Sequence, residues 1–358
     1  MVSPNEVIVA AAGSGKTTHL LDLARQDPNR RVLITSYTNE NLREVNARLW
    51  RDGGGWPANV TTMTWFEFLL RDGVKPYQTY KTDIGRVRSI NFISEKPRFI
   101  ERTDFERYYL DAASNVYSDA VADLACVLDD SSKGNVIRRI EAIYDMVLVD
   151  EMQDLAGYDL EFLKLMLKSK IMIVMVGDPR QAVYRTNRSN KNKQYRGRRL
   201  MKWIGTCERE GLCAQRTFDV NHRSNAVVCA FADGIYPSLP STRSGQREVV
   251  EHEGVVLVHT DDVERYIEQY HPQELRWDRG NKQAGPSARN FGEVKGLTFE
   301  RVLIYPTTPI TAFIEEGTEL VEVSAAKLYV AVTRARHSVG IVTQSRSSKS
   351  PLPLWSGR

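Results

Sequence analysis

The chain contains no run of 18 apolar residues, so no membrane-spanning helix is expected. Its first residues lead directly into a strand, not through a basic and then apolar leader, so no secretory signal is expected and the reading is a cytoplasmic protein without a membrane partner. Cysteine is scarce: Cys126, Cys207, Cys213 and Cys229 form no CxxC pair, and reduced core thiols fit them better than disulfides or zinc. Internal repeats and long low-complexity tracts are absent, which excludes repeat architectures. No carboxylate cluster points to a nuclease centre. Neither sign of charge dominates, the net being +4 over 358 residues, of which 42% are apolar. Such a chain is long enough for two α/β domains with cores of their own.

What is present starts with Val7 to Thr18. Val7 to Val9 read as a buried parallel strand, and Gly13 and Gly15 let the following backbone turn so that its N–H groups face one concavity. Ala12, Gly13, Ser14 and Gly15 would cradle phosphates. Lys16 would reach the β- and γ-phosphates, Thr17 would present its hydroxyl to Mg²⁺, and Thr18 to Arg25 would form the helix that adds positive potential. Ala10 takes the first position of this eight-residue pattern, where glycine is usual.

The chain continues in an α/β rhythm. Arg31 to Thr35 reads as a second strand, Ser36 to Asn39 as a polar loop, and Glu40 to Trp50 as a helix, with Asn39 a natural N-cap. Loops at the carboxyl ends of parallel strands line one edge, so Tyr37, Thr38 and Asn39 should share an edge with the phosphate loop. Asn59 to Thr64 reads as a third strand, and the aromatics of Trp65 to Leu70 as core. Residues 74–139 take on helical spacing, as at Phe105, Tyr108, Tyr109 and Ala112, and read as a helical insertion.

Met146 to Val149 is an apolar strand that ends in two adjacent carboxylates. Asp150 at the tip suits the shell of a Mg²⁺ ion, and Glu151 suits acceptance of a proton from an attacking water. The competing reading is an acidic helix start, which the phosphate loop upstream disfavours. Ile171 to Val176 forms another strand, whose following loop would carry Gln181 toward a γ-phosphate. Tyr184 then precedes Arg185, Arg188, Lys191, Lys193, Arg196, Arg198, Arg199 and Lys202, eight basic residues among eighteen with no acid. Alone, such a run is a solvated loop. Beside an aromatic ring and a phosphate loop it suits a single nucleic-acid strand, with stacking of about 1–3 kcal/mol per base and salt-dependent phosphate contacts.

The second half repeats the rhythm. Asn221 to Ser224 opens a helix that runs through Phe231, Gly254 to His259 is a strand, and Asp261 to Gln269 a helix. Pro272 to Arg289 reads as a polar linker, Ser324 to Val332 as an Ala-rich helix, Val339 to Thr343 as the last strand, and Gln344 to Arg358 as a disordered tail. Arg223 and Arg334 sit beside helix ends, where an arginine can stabilise γ-phosphate charge.

This ordered set resembles the motifs of superfamily 1 helicases of the UvrD/Rep/PcrA type. Ala11 to Thr17 is similar to the family's first motif, Ser36-Tyr-Thr-Asn39 to TFTN, Thr61 to Thr64 to GTFH, and Val149 to Asp154 to DExQD. Gly177 to Tyr184 is similar to GDxxQSIY, Asn221 to Ser224 to NYRS, Lys295 to Phe299 to KGLEF, and Leu328 to Ala335 to LYVAxTRA. The resemblance implies two RecA-like P-loop NTPase domains that clamp ATP and Mg²⁺, with 1–73 and 140–204 as the first, 74–139 its helical insertion, and 205–343 the second. It implies single-stranded DNA, or a duplex with a single-stranded tail, as the substrate, and 3′-to-5′ movement. By the same resemblance Lys16, Glu151, Gln181, Arg223 and Arg334 act in hydrolysis, and Gly296 and Thr18 contact nucleotide. His222 takes the place of the tyrosine that stacks on the base. Tyr37, Thr38, Asn39, Thr62, Tyr184 and Arg185 would contact DNA.

The departures are specific. Thr18 stands where the family carries arginine, Thr298 where it carries glutamate, Gly292 where it carries histidine, and Thr186 where it carries tryptophan. Only nine residues precede Ala10, so the adenine-reading glutamine segment is not found upstream, and nucleotide selectivity stays open. Ser224 and Lys295 are 71 positions apart, too close for the family's large mobile insertion. Two functions follow. One is an ATP-dependent helicase or translocase. The other is a DNA-stimulated ATPase or ATP-gated switch that serves a larger repair, recombination or defence complex, with a nuclease or similar subunit as partner.

Overall fold

The computed structural model describes residues 5–52, 55–81, 86–94, 99–183, 189–346 and 350–357. The chain divides into two compact units. The first comprises Met1–Val9, Lys16–Pro179 and Tyr184–Thr217, the second Ala10–Gly15, Arg180–Val183 and Phe218–Arg358. Among the described residues no helix is long and apolar enough to cross a membrane.

In chain order the first eight strands are β1 (Glu6–Ala10), β2 (Val32–Ser36), β3 (Val60–Thr64), β4 (Ile90–Asn91), β5 (Val116–Tyr117), β6 (Met146–Val149), β7 (Met172–Gly177) and β8 (Ala214–Phe218). Six of them form one sheet, ordered β3-β2-β6-β7-β1-β8. The pairs β1–β7, β6–β7, β2–β6 and β2–β3 are parallel, with Val7 opposite Met175 and Val32 opposite both Met146 and Val60. β2 and β6 are buried at every position, as expected of parallel strands covered on both faces. Because β1, β2, β6 and β7 run the same way, their carboxyl ends lie along one edge, where a doubly wound sheet holds its ligands. Beneath the sheet Trp65, Phe68 and Phe162 pack with ring centroids 5.6 to 6.3 Å apart. The Trp65 indole N–H donates to Asp159 at 2.8 Å, which satisfies it in the core.

The segment 74–139 is not wholly helical. It holds helices Phe105–Tyr109, Val121–Ser131 and Asn135–Ile143, but also the parallel pair β4–β5.

The remaining strands are β9 (Val220–Asn221), β10 (Arg243–Ser244), β11 (Gly254–His259), β12 (Gln273–Arg276), β13 (Arg289–Asn290), β14 (Phe299–Ile304) and β15 (Ala335–Thr343). A five-stranded sheet runs β11-β15-β14-β12-β13, parallel at each of its pairings. The Ala-rich helix Glu322–Val332 has eight buried residues, four of them the small Ser324, Ala325, Ala326 and Ala331 and the others the larger Leu328, Tyr329, Val330 and Val332. Two expectations fail here. The polar linker contains β12, whose Glu274 is buried because Tyr305 donates to it at 2.6 Å and the Gly285 N–H at 3.0 Å. The expected disordered tail is ordered over 350–357: Leu257 N–H donates to the Pro353 carbonyl at 2.9 Å and Trp355 N–H to the Leu257 carbonyl at 2.8 Å. Trp355 is buried and meets Tyr266 edge-on at 5.1 Å, which anchors the segment along β11.

Candidate nucleotide-binding site

In the first unit the helix Lys16–Arg25 begins on Lys16 itself, which is buried. Thr17 donates its hydroxyl to Asp150 at 3.1 Å, and the Asp150 N–H donates to the Thr35 carbonyl at 2.8 Å. This ties the helix start, β2 and the end of β6 together. Asp150 is 4% exposed. Burial and the neighbouring Glu151 charge push its carboxyl well above the usual range, while Lys16, the Glu151 N–H and the Thr17 hydroxyl pull the other way. A divalent cation would relieve that burden. Glu151 differs: it is half-buried and adopts φ +56°, a left-handed conformation that is strained for a non-glycine residue. Gln153 donates its side-chain amide to the Glu151 carboxylate and accepts from the Asp178 N–H at 3.0 Å. A Cβ on Gly177 would lie 2.3 Å from that same Gln153 amide oxygen, so β7 must end in glycine for Gln153 to fit. Thr18 lies on the exposed face, where it accepts from Arg48.

The second unit brings Ala10–Gly15, Gln181 and the Asn221, Lys295 and Arg334 motifs together. Gly13 and Gly15 have φ of +70° and +81°. A Cβ at Gly13 would come within 2.3 Å of the Asn221 amide oxygen and 2.8 Å of the Arg223 Cβ, so only glycine fits. His222 N–H donates to the Gly13 carbonyl at 2.9 Å, while its own side chain is exposed. Asn221 accepts from the N–H groups of Arg223 and Ser224 at 2.7 and 3.0 Å. Arg223 donates to the Thr333 carbonyl at 3.0 Å. Arg334 is buried, donating to the Val330 and Leu297 carbonyls and to Gln181 at 3.5 Å. Ala12 N–H meets the Tyr329 hydroxyl at 3.5 Å, and the Arg180 guanidinium lies 5.2 Å above the Tyr329 ring. Gly296 has φ +90° on an exposed turn.

In the first unit Thr17 and Asp150 fit a divalent ion, and in the second the Gly13 to Gly15 turn fits phosphate oxygens. Besides the glycine cradle, the Ser14 hydroxyl is buried without a partner, as are the hydroxyls of Thr35 and Ser36 at the end of β2. Buried hydroxyls left unpaired are costly unless a ligand or water completes them. Gln153, Asn221 and Tyr329 are the contacts that motif reading passed over. All three lie inside the motif stretches named above, and their side-chain geometry was the missing information.

The residues expected to touch DNA are placed unevenly. Tyr37 is half-buried at the end of β2, its ring tilted at 5.7 Å from Phe66. Thr38, not Asn39, caps the helix Asn39–Asp52: its hydroxyl accepts from the Asn41 N–H at 3.2 Å, and Asn39 is the first helical residue. Thr62 lies within β3 and donates to Asn46 at 2.8 Å. Tyr184 and Arg185 lie outside the described residues. Of the basic run, Lys193, Arg198, Arg199 and Lys202 are exposed, and Lys191 pairs with Glu161 at 3.7 Å.

A family model described as the UvrD/REP helicase N-terminal domain matches residues 75–194. Among solved structures, the arterivirus nonstructural protein 10 helicase in complex with DNA is 15% identical, with a TM-score of 0.51, over 97% of this chain and 62% of that one. A second crystal structure of the arterivirus nonstructural protein 10 helicase is also 15% identical, with a TM-score of 0.49, over 97% of this chain and 61% of that one. This chain thus spans about three-fifths of their length. No curated protein matches it.

Proposed function

We propose that the chain is a helicase of the UvrD-like superfamily 1 type, whose N-terminal-domain model matches residues 75–194, and that ATP hydrolysis drives it along single-stranded DNA in the 3′-to-5′ direction. The observation that carries this reading is the contact from Thr17 to Asp150 beside a half-buried Glu151 held by Gln153. Two adjacent carboxylates in unlike environments suit unlike roles. Asp150, enclosed and bonded to Thr17, suits a Mg²⁺ shell. Glu151, oriented by the Gln153 amide, suits acceptance of the proton from the attacking water.

Lys16 and the N–H groups of the Gly13 to Gly15 turn bind the β- and γ-phosphates. Mg²⁺, when bound on Thr17 and Asp150, neutralises charge on those oxygens. Arg223 and Arg334 supply positive charge for the transition state, and Gln181, hydrogen-bonded to Arg334, reports whether a γ-phosphate is present. His222, exposed beside the Gly13 carbonyl, is available to stack on the base. Tyr37 and the basic run, with Tyr184 and Arg185 at its start, hold the strand.

The test is ATP hydrolysis by the purified chain with and without single-stranded DNA, with Glu151→Gln as control. Stimulation that the substitution abolishes supports the motor, and strand displacement on tailed duplexes then reads polarity. A chain whose ATPase ignores DNA contradicts it. A second reading, an ATPase subunit that does not unwind alone, has one observation in its favour. The interval from Ser224 to Lys295 is filled by the helix Ala226–Gly234, by β10 to β13 and by the helix Val263–Tyr270, with no further domain in it. DNA-stimulated hydrolysis without strand displacement would favour that reading.

A further inference from the structure

The Tyr37 ring continues into a line of aromatics. Phe66, its neighbour, is buried and meets Phe92 edge-on at 5.1 Å, and Phe92 is 63% exposed. Beside it Ile93 is 97% exposed. Such an apolar tip is a liability unless something covers it, yet it is fixed in place. The Asn91 side chain accepts from the N–H groups of Ile93 and Ser94 at 2.9 and 3.0 Å and donates to Asp111 at 2.8 Å. Asp111 in turn accepts from the N–H groups of Ala113 and Asn115 at 2.8 and 2.9 Å, donors that hold its carboxyl below the usual range. In sequence the stretch is basic on balance, with Arg86, Arg88, Lys96 and Arg98 against Glu95 over residues 86–98, and of these Arg86 and Arg88 are exposed.

We propose that the Phe92–Ile93 turn is a further contact site for single-stranded nucleic acid, extending the Tyr37 contact onto the segment 74–139. This rests on the single-strand reading above. Phe92 stacks on a base, Ile93 packs against the neighbouring base, and Arg86 and Arg88 engage phosphates. Because Phe66 supports both rings, the strand that stacks on Tyr37 is the one that reaches Phe92. The positive charge of the flanks favours a polyanion over an apolar protein partner.

The experiment measures binding of fluorescent oligodeoxythymidylates of increasing length to the full chain. Phe92→Ala should weaken binding roughly 5- to 150-fold on oligonucleotides long enough to span both rings. The shortest ones should bind variant and parent alike, and Phe92→Trp should restore affinity. Arg88→Gln should lower the salt dependence by about one phosphate contact. If the parent binds DNA and Phe92→Ala binds equally at every length, the proposal is overturned while the motor reading stands, and the tip is then a protein-docking surface. If the parent binds no single strand at any length, both fall.

Discussion

The two sheets share a parallel architecture but carry different chemistry at their strand ends. In the first, β2, β6 and β7 end in Ser36, in Asp150 with Glu151, and in Gly177 with Asp178, so hydroxyls and carboxylates crowd one edge. In the second, β11, β14 and β15 open onto a 480 Å³ cavity whose lining is mostly hydroxyl-bearing, with Thr260, Thr308, Thr311 and Thr343 beside Glu315 and Gln344. The second unit contributes arginines instead: Arg334 buried among carbonyls and Arg223 tied to Thr333. The fold is thus common property, and the chemistry is set by what each loop presents. On the reading proposed above, the first unit activates water and the second supplies charge to the transition state.

The sharpest way to break that comparison is Arg223→Ala. A charge-stabilising arginine is worth on the order of 10³–10⁵ in rate, so steady-state ATP hydrolysis should fall by that much while fluorescent-nucleotide binding changes little. A variant that keeps its turnover number would mean the second unit does not take part in chemistry. Glu151→Gln attacks the other half and should cost about 10²–10⁴ in turnover. It keeps the side chain's size, and nucleotide should still bind. If nucleotide binding is lost along with turnover, Glu151 belongs to the ion shell and the division of labour with Asp150 is wrong. A structural contrast comes next. Trp355→Ala, removing the anchor that holds residues 350–357 on β11, should lower stability on the order of 3 kcal/mol, read by chemical denaturation. No change would mean that the segment is not held there in solution.

Strand ends and motif loops were legible because parallel strands are short apolar runs and their loops carry chemically distinctive residues. β6 falls where the apolar run Met146 to Val149 put it, and the glycines at 13 and 15 adopt the positive φ that the phosphate turn needs. What escaped was stabilised by partners distant in sequence. β12 looks like linker because Glu274 is a charge in a strand; only Tyr305 and Gly285 explain its burial. The tail is polar apart from Leu352, Leu354 and Trp355, and nothing local reveals that β11 leaves an edge for it. At the second helix, Asn39 and Thr38 are both good caps, and which of them caps depends on where β2 ends. Gln153 sits inside a quoted motif, but its link to Glu151 and Asp178 needs the turn that follows β6 and the end of β7.

The smallest effect concerns how that edge responds to acid. His252 stacks on Tyr270 with centroids 3.9 Å apart, its Nε2 lies 2.9 Å from the Tyr266 hydroxyl, and Tyr266 also packs on Trp355. Burial, helped by the Arg301 charge, lowers its pKa to about 4. The unfolded chain, with histidine near 6.5, takes up the proton more readily, so the contribution to stability is complete above about pH 6.5 and is lost as pH falls toward 4. Because the ring is only half-buried, solvent screening reduces the effect to about 1 kcal/mol between pH 7.5 and pH 5. Denaturation of the parent and of His252→Phe at both pH values isolates it: the parent should lose more stability on acidification than the variant. The first unit contributes equally to both chains and cancels. Equal losses would mean that His252 titrates normally and that the second unit's edge is no more sensitive to acid than the rest.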